Sequence, residues 1–155
     1  MSPKRPLLLA LLVAAAFAPA GCSDDDSAQK QGHSDLRVIE GWVETLADGD
    51  VDGAADYFAV PSVVQNGTPP LTLRSRADVV AFNRSLPCGA RLVRARPAGK
   101  LIVATFRLEE RPGGDCGSGV GLLARTAFRI ENGKIAEWRR LRDPAQGQPD
   151  SGPIV

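Results

Sequence analysis

Apolar and polar positions divide the chain into parts of different character. Residues 7–18 form an unbroken apolar run, and residues 23–32 are polar and charged with no apolar period. From about residue 34 onward, apolar residues recur with the periods of helices and then of strands. We therefore predict four parts: a targeting segment over residues 1–21, a disordered tether over 22–33, one domain over 34–143 and a disordered tail over 144–155.

The first half of the domain has the period of amphipathic helices. We expect a first helix from Ser34 or Asp35, a short second helix over about residues 51–58, and a third helix that Ser75 caps and that ends before Pro87. The apolar face of the first helix consists of Ile39, Trp42, Val43 and Leu46.

The second half alternates between apolar and polar side chains, which is the period of strands. Alternation is clearest over residues 100–111. Two further strands, over about residues 121–131 and 134–142, flank Asn132-Gly133, a pair typical of hairpin turns. The pattern predicts an antiparallel sheet that follows the helices.

The register of the last hairpin follows from the faces that its side chains must take. A two-residue turn at 132–133 places Trp138 on a face of arginines. A three-residue loop over 131–133 instead pairs Ile130 with Lys134 and gives one apolar and one charged face. We predict the three-residue loop.

The N-terminus has the features of an export signal. Lys4 and Arg5 precede the apolar run, which is too short to span a hydrocarbon core of ~30 Å as a helix. Residues 20–22, Ala-Gly-Cys, resemble a bacterial lipobox, although Pro19 replaces the usual Leu. The resemblance implies that Cys22 is lipidated and anchors the chain outside a bacterial cell membrane. An ordinary signal peptide with an incidental cysteine is the alternative.

Cysteine usage is consistent with export. The chain has three cysteines, an odd number for an oxidising compartment. If Cys22 carries lipid, Cys88 and Cys116 remain as a pair, and we predict a disulfide between them. Two buried free thiols are the alternative.

Charge and histidine content exclude several functions. After removal of residues 1–21, 17 basic residues face 18 acidic ones, so the total charge gives no reason to expect nucleic acid or an anionic membrane surface as a partner. The single histidine, His33, lies at the edge of the tether. A Ser-His-Asp triad, a His/Cys metal site and a cofactor are therefore not expected.

Two segments resemble the NTF2-like (SnoaL-like) superfamily. They are WVETLADGDVDGAADYF at residues 42–58 and FRIENGKIAEWR at residues 128–139, and the resemblance covers about residues 36–142. It implies an α+β cone in which three N-terminal helices pack against a curved antiparallel sheet, with a pocket between the two layers.

The resemblance also identifies candidate pocket residues. In the steroid-isomerase branch, a Tyr and two acids act in the pocket, and the matching positions are Trp42, Asn66 and Thr126. None of these three is a carboxylate, so isomerase-type proton transfer is not expected. The complete set of ligand-pocket candidates is Trp42, Tyr57, Asn66, Phe106, Thr126, Trp138 and Arg140.

These observations favour a non-catalytic module that binds a small apolar ligand or another protein. One alternative is a SnoaL-like enzyme (a cyclase, dehydratase or isomerase) that acts on a hydrophobic small molecule. Another is a subunit of a cell-envelope assembly, or a homodimer joined through the outer sheet face near Leu123 and Leu141.

Overall fold

The computed structural model describes residues 24–142; the predicted signal segment, Cys22 and the tail over 144–155 lie outside this range. Within residues 24–142, three helices and six strands follow one another, with a 3-10 turn at Gly117–Gly119 before the fifth strand. The helices are α1 (Asp24–Ala47), α2 (Val51–Ala55) and α3 (Arg76–Ser85). The strands are β1 (Phe58–Gln65), β2 (Leu71–Leu73), β3 (Gly89–Ala98), β4 (Leu101–Glu109), β5 (Leu123–Glu131) and β6 (Lys134–Leu141).

The strands form one sheet in the order β2-β1-β6-β5-β4-β3. The predicted α+β class is confirmed, but the sheet is only mostly antiparallel, because β1 and β6 pair in parallel. Parallel neighbours need a long connection, and here that connection runs through β2, α3 and three further strands. Such a pairing between residues far apart in the chain leaves no local pattern in the sequence.

Helix α1 is longer than predicted. It begins at Asp24 rather than at Ser34 or Asp35, so residues 24–33, where the sequence predicts a tether, belong to this helix. Residues 29–33 are exposed, and Gln31 Nε2 donates to Asp35 Oδ1, one turn later, at 2.7 Å. Local helix propensity and side-chain pairing therefore support this part of the helix, although it has no buried face. Apolar periodicity in the sequence does not detect a helical segment of this kind.

Within residues 24–142, no helix combines the length and apolarity needed to cross a bilayer.

Capping residues determine where the other two helices begin. Asp50 Oδ1 accepts from Gly53 N at 2.8 Å at the start of α2. This helix ends at Ala55, earlier than the predicted end near residue 58, where β1 begins. Ser75 caps α3 as predicted: its hydroxyl accepts from Asp78 N at 3.1 Å, and Asp78 Oδ2 accepts from Ser75 N at 2.9 Å. This reciprocal pair is a capping box.

The β5–β6 turn differs from the predicted loop. Glu131 pairs with Lys134 across a two-residue turn, and Asn132 has the positive φ of 51° that such a turn needs. A bulge at Ala136 then shifts the register, so that Phe128 pairs with Trp138. The last two strands therefore do have one apolar face and one charged face, as predicted. The cause is the bulge at Ala136 and not the predicted three-residue loop.

The Cys88–Cys116 disulfide is confirmed, with 4.4 Å between the two Cα atoms. It joins the start of β3 to the segment between β4 and β5.

The buried side chain of Arg111 links the same segment to the end of α3 by hydrogen bonds. Its Nη2 donates to the carbonyl oxygens of Leu86 at 2.7 Å and Arg84 at 3.3 Å. Carbonyls at a helix C-terminus lack helical partners, so this guanidinium satisfies them.

We expect Arg111→Ala to lower the free energy of unfolding by about 2–3 kcal/mol, because buried carbonyls would lose their donor. Chemical denaturation followed by circular dichroism measures this change. Arg37→Ala, on the exposed surface of α1, is the control and should change the value by less than about 0.5 kcal/mol. Equal effects of the two variants would contradict the role given to Arg111.

Candidate functional site

A cavity of about 310 Å³ lies between α1, the end of α3 and the helix-facing side of the sheet. Helix α1 supplies one wall, and strands β4, β5 and β6 supply the opposite wall. The lining is mostly apolar, with a few polar groups. The lining residues are Trp42, Val43, Leu46, Asn66, Leu86, Pro87, Cys88, Ala90, Phe106, Leu108, Ala124, Thr126, Trp138 and Arg140.

Six of the seven predicted pocket candidates line this cavity: Trp42, Asn66, Phe106, Thr126, Trp138 and Arg140. The seventh, Tyr57, lies elsewhere. Its ring packs on α1 beside Gly41, where an added Cβ would come within 2.6 Å of the phenol. Gly41 thus allows Tyr57 to approach the helix, and Tyr57 is a packing residue in this structure.

The remaining lining residues were not predicted. Leu46 belongs to the apolar face of α1, and Leu108 and Ala124 belong to the core-facing sides of β4 and β5. The alternation of apolar and polar residues along a strand predicts that Leu108 lies on the apolar side of the sheet. The position of these residues at a cavity depends on where the helices cross that sheet, which alternation does not reveal.

An aromatic cluster includes the lining residues Trp42, Phe106 and Trp138 and continues behind them into the core. The Trp42 ring meets Phe58, Phe106 and Phe128 edge-on, with centroid distances of 6.1, 6.4 and 5.6 Å. These edge-to-face contacts are the favoured geometry for aromatic pairs. Trp138 joins the cluster through Phe82 at 5.2 Å. This part of the wall is therefore aromatic and apolar.

The two indole N–H groups differ in their hydrogen bonding. Trp42 Nε1 donates to Asn83 Oδ1 at 3.1 Å, and Asn83 Nδ2 donates to Val51 O at 3.5 Å. Asn83 is fully buried. Trp138 is only 4% exposed, yet its Nε1 has no acceptor within residues 24–142. A buried donor without a partner costs about 1–3 kcal/mol, so Trp138 carries an unmet hydrogen-bonding requirement.

The polar groups lie around the apolar wall. Asn66 is exposed in the turn after β1, Thr126 is buried, and Arg140 pairs with Thr126 across the β5–β6 ladder. Arg140 is the only charged side chain among the described lining residues. Within residues 24–142, no three His, Cys, Asp or Glu side chains are grouped so that they could hold a metal ion.

A second groove, of about 760 Å³, runs between α1 and the edge strand β3. Acidic side chains of α1, among them Glu40 and Glu44, line one side, and Arg91 and Arg94 line the other. It is larger than the first cavity but lacks aromatic walls, and ion pairs such as Arg91–Glu109 occupy its margin. The smaller cavity is therefore the better candidate for a specific small-molecule site.

The chain belongs to the SnoaL-like domain family, whose sequence profile matches residues 39–138. No curated protein matches the chain. This family membership agrees with the resemblance noted in the sequence and with the order of helices and strands described above.

Three solved structures share the fold. A candidate polyketide cyclase from Sinorhizobium meliloti is 14% identical with a TM-score of 0.55, and covers 68% of this chain and 94% of its own. An NTF2-like protein of unknown function from Cytophaga hutchinsonii is 9% identical, with a TM-score of 0.55 and coverages of 72% and 92%. A candidate ketosteroid isomerase from Kribbella flavida is 15% identical, with a TM-score of 0.54 and coverages of 79% and 90%. At these identities the similarity shows the fold alone.

We expect Asn83→Ala to lower the free energy of unfolding by about 2–3 kcal/mol, because Trp42 would lose its buried acceptor. Urea denaturation monitored by tryptophan fluorescence measures the effect. Asn66→Ala, an exposed amide at the cavity rim, should change stability by less than about 0.5 kcal/mol. A small change for Asn83→Ala would show that the Trp42 hydrogen bond does not hold the helices in place.

Proposed function

We propose that this chain is an exported, lipid-anchored SnoaL-like binding protein whose cavity holds a small apolar molecule with one hydrogen-bond acceptor. The observation that carries the proposal is that Trp138 lines this mostly apolar cavity while its buried Nε1 has no acceptor within residues 24–142. An acceptor such as a carbonyl oxygen would satisfy this donor. The aromatic wall around Trp42 would hold the apolar body of the ligand.

The cavity volume supports a small ligand. About 310 Å³ lies at the lower end of the roughly 300–1,000 Å³ range of small-molecule pockets. Thr126 and Asn66 add polar groups that could select among ligands, and Arg140 could contact an electronegative group at the rim. The ligand class is therefore a compact, mostly apolar molecule that carries a carbonyl or a similar acceptor.

The lining also supports binding without catalysis. Proton transfer needs a group that can take up and release a proton near neutral pH, and the described lining residues include no Asp, Glu, His or Lys. Cys88 also lines the cavity, but its sulfur is bonded to Cys116 and therefore has no thiol to act as a nucleophile or a base. The family resemblance implies that Trp42, Asn66 and Thr126 match the Tyr and the two acids of the steroid-isomerase branch, and none of the three is a carboxylate. A SnoaL-like enzyme is the second candidate, favoured by the cyclase and isomerase descriptions of two structural relatives.

The binding mode can be tested with a matched pair of probes, 2-acetylnaphthalene and 2-ethylnaphthalene, which differ in one carbonyl group. Calorimetry should show about tenfold tighter binding of the acetyl compound, because only its oxygen accepts from Trp138. Trp138→Phe keeps an aromatic ring but removes the donor, and should abolish the difference between the probes.

Arg139→Ala is the control for that experiment, because Arg139 lies on the opposite face of the same strand and pairs with Glu137. It should preserve the preference for the acetyl compound. Equal binding of both probes by the unsubstituted protein would refute the role of Trp138. Conversion of a bound probe to a new mass would instead favour the enzyme alternative.

Export is supported by the Cys88–Cys116 disulfide, because such bonds persist in oxidising compartments. We expect the full chain, expressed in a bacterium, to gain acyl mass and to sediment with membranes after a high-salt wash. Cys22→Ser should lose both properties, whereas Pro19→Leu, which completes the lipobox, should keep them. An unmodified mass for the unsubstituted chain would disprove lipid anchoring.

A further inference from the structure

The near-zero total charge hides a strong separation of charge along the chain. Residues 24–56, which form α1 and α2, contain ten acidic and two basic residues, whereas residues 89–142, which contain β3 to β6, contain five acidic and twelve basic ones. The total charge was the reason for expecting no anionic membrane partner. The distribution leads to a different expectation, because a surface responds to the charge that it meets locally.

Most of these basic side chains lie on one face of the sheet. Residues alternate between faces along a strand, and Phe106 and Phe128 mark the face that packs on the helices. Strand pairing places Arg94 beside Thr105 and Thr105 beside Arg125 in one row on the other face. We call this outer surface the arginine face. It carries Arg91, Arg94, Arg96, Arg107, Arg125, Arg129 and Arg139.

Only part of this charge is neutralised within the domain. Glu137 pairs with both Arg129 and Arg139, and Glu109 pairs with Arg91 at 3.3 Å. No carboxylate within residues 24–142 pairs with the other four arginines of the face. These four are Arg94, Arg96, Arg107 and Arg125, and all but the half-buried Arg125 are exposed.

An exposed apolar segment borders the arginine face. Val120, Leu122 and Leu123 lie between β4 and the start of β5, with exposures of 49%, 54% and 46%. Arg107 Nη1 donates to the carbonyl oxygen of Gly121 in this segment at 3.1 Å. Uncompensated arginines and exposed leucines are therefore adjacent, a combination suited to the boundary between lipid headgroups and acyl chains.

We propose that the arginine face docks on a bilayer that contains anionic phospholipids, with residues 120–123 entering the headgroup region. The four uncompensated arginines supply attraction to lipid phosphates. The helices, which carry most of the acidic residues, pack on the opposite side of the sheet, and Glu40 and Glu44 of α1 approach the face only across the groove at its β3 edge. A symmetric homodimer through this face would bring the same four cations together, so the charge disfavours that alternative. A soluble polyanion would use the arginines but would leave the apolar segment exposed.

Vesicle sedimentation tests the proposal with the full chain carrying Cys22→Ser, so that no acyl group contributes. The vesicles contain phosphatidylcholine alone, or phosphatidylcholine with about 30% phosphatidylglycerol. The protein should bind the anionic vesicles much more tightly, and high salt should weaken that binding. Circular dichroism should confirm that every variant is folded.

Two matched triple variants distinguish the effect of the arginine face from the effect of the total charge, because each removes three arginines. Arg94→Gln/Arg96→Gln/Arg125→Gln should lower partitioning by a factor on the order of 100. Arg37→Gln/Arg74→Gln/Arg84→Gln removes three exposed arginines from outside the face and should lower it by less than about threefold. Leu122→Ser/Leu123→Ser should lower it by about tenfold, because two apolar side chains would no longer leave water.

Three results would overturn the proposal. Equal loss in both triple variants would mean that the arginine face has no special role. Equal binding to neutral and anionic vesicles would show that the apolar run at residues 7–18 dominates. Inorganic polyphosphate that binds more tightly than vesicles of equal phosphate concentration, with no effect of the leucine substitutions, would reassign the face to a soluble polyanion.

Discussion

The hydrogen bond from Trp42 to Asn83 is the constraint on which the arrangement of helices and sheet depends. Trp42 belongs to α1, Asn83 belongs to α3, and the Asn83 amide also reaches Val51 O at the start of α2. Because both side chains are buried, neither can exchange its partner for water, and leaving either polar group unpaired would be costly. The rings of Phe58 and Phe128 pack around the same indole, so the bond also sets how the helices sit on the sheet.

The opposite side of the cavity depends on a covalent link and on hydrogen bonds at the end of α3. Leu86 and Cys88 line the cavity, and both lie in the connection from α3 to β3. Arg111 holds the Leu86 carbonyl while the disulfide holds Cys88. In the chain-entropy interpretation, a cross-link across 28 residues contributes roughly 3–4 kcal/mol. This wall is thus held by the disulfide and the Arg111 hydrogen bonds in addition to the packing of Leu86 in the core.

The features that the sequence predicted well are those that local chemistry decides. The Ser75 cap, the alternation through β4 and the Cys88–Cys116 pair follow from residue types and spacing, and the structure contains each. The long exposed start of α1, the parallel β1–β6 pair and the burial of Asn83 were missed. The start of α1 depends on helix propensity without a buried face. The β1–β6 pair and the burial of Asn83 depend on partners that are far away in the sequence. For the cavity, residue type and family resemblance identified aromatic and polar lining residues, but the missing acceptor of Trp138 is visible only in three dimensions.

Strand β6 connects the two proposed activities, because successive side chains of a strand belong to opposite faces. Trp138 and Arg140 line the cavity, whereas Glu137 and Arg139 form an ion pair on the arginine face. The bulge at Ala136 produces this assignment. Without it, the register set by the two-residue turn would have continued along the strand, and Trp138 and Arg140 would lie on the outer face while Glu137 and Arg139 faced the helices. The orientation of Trp138 and that of Arg139 thus have one structural cause. A single extra residue in the ladder directs the aromatic side chain toward the helices and its charged neighbours toward the outside.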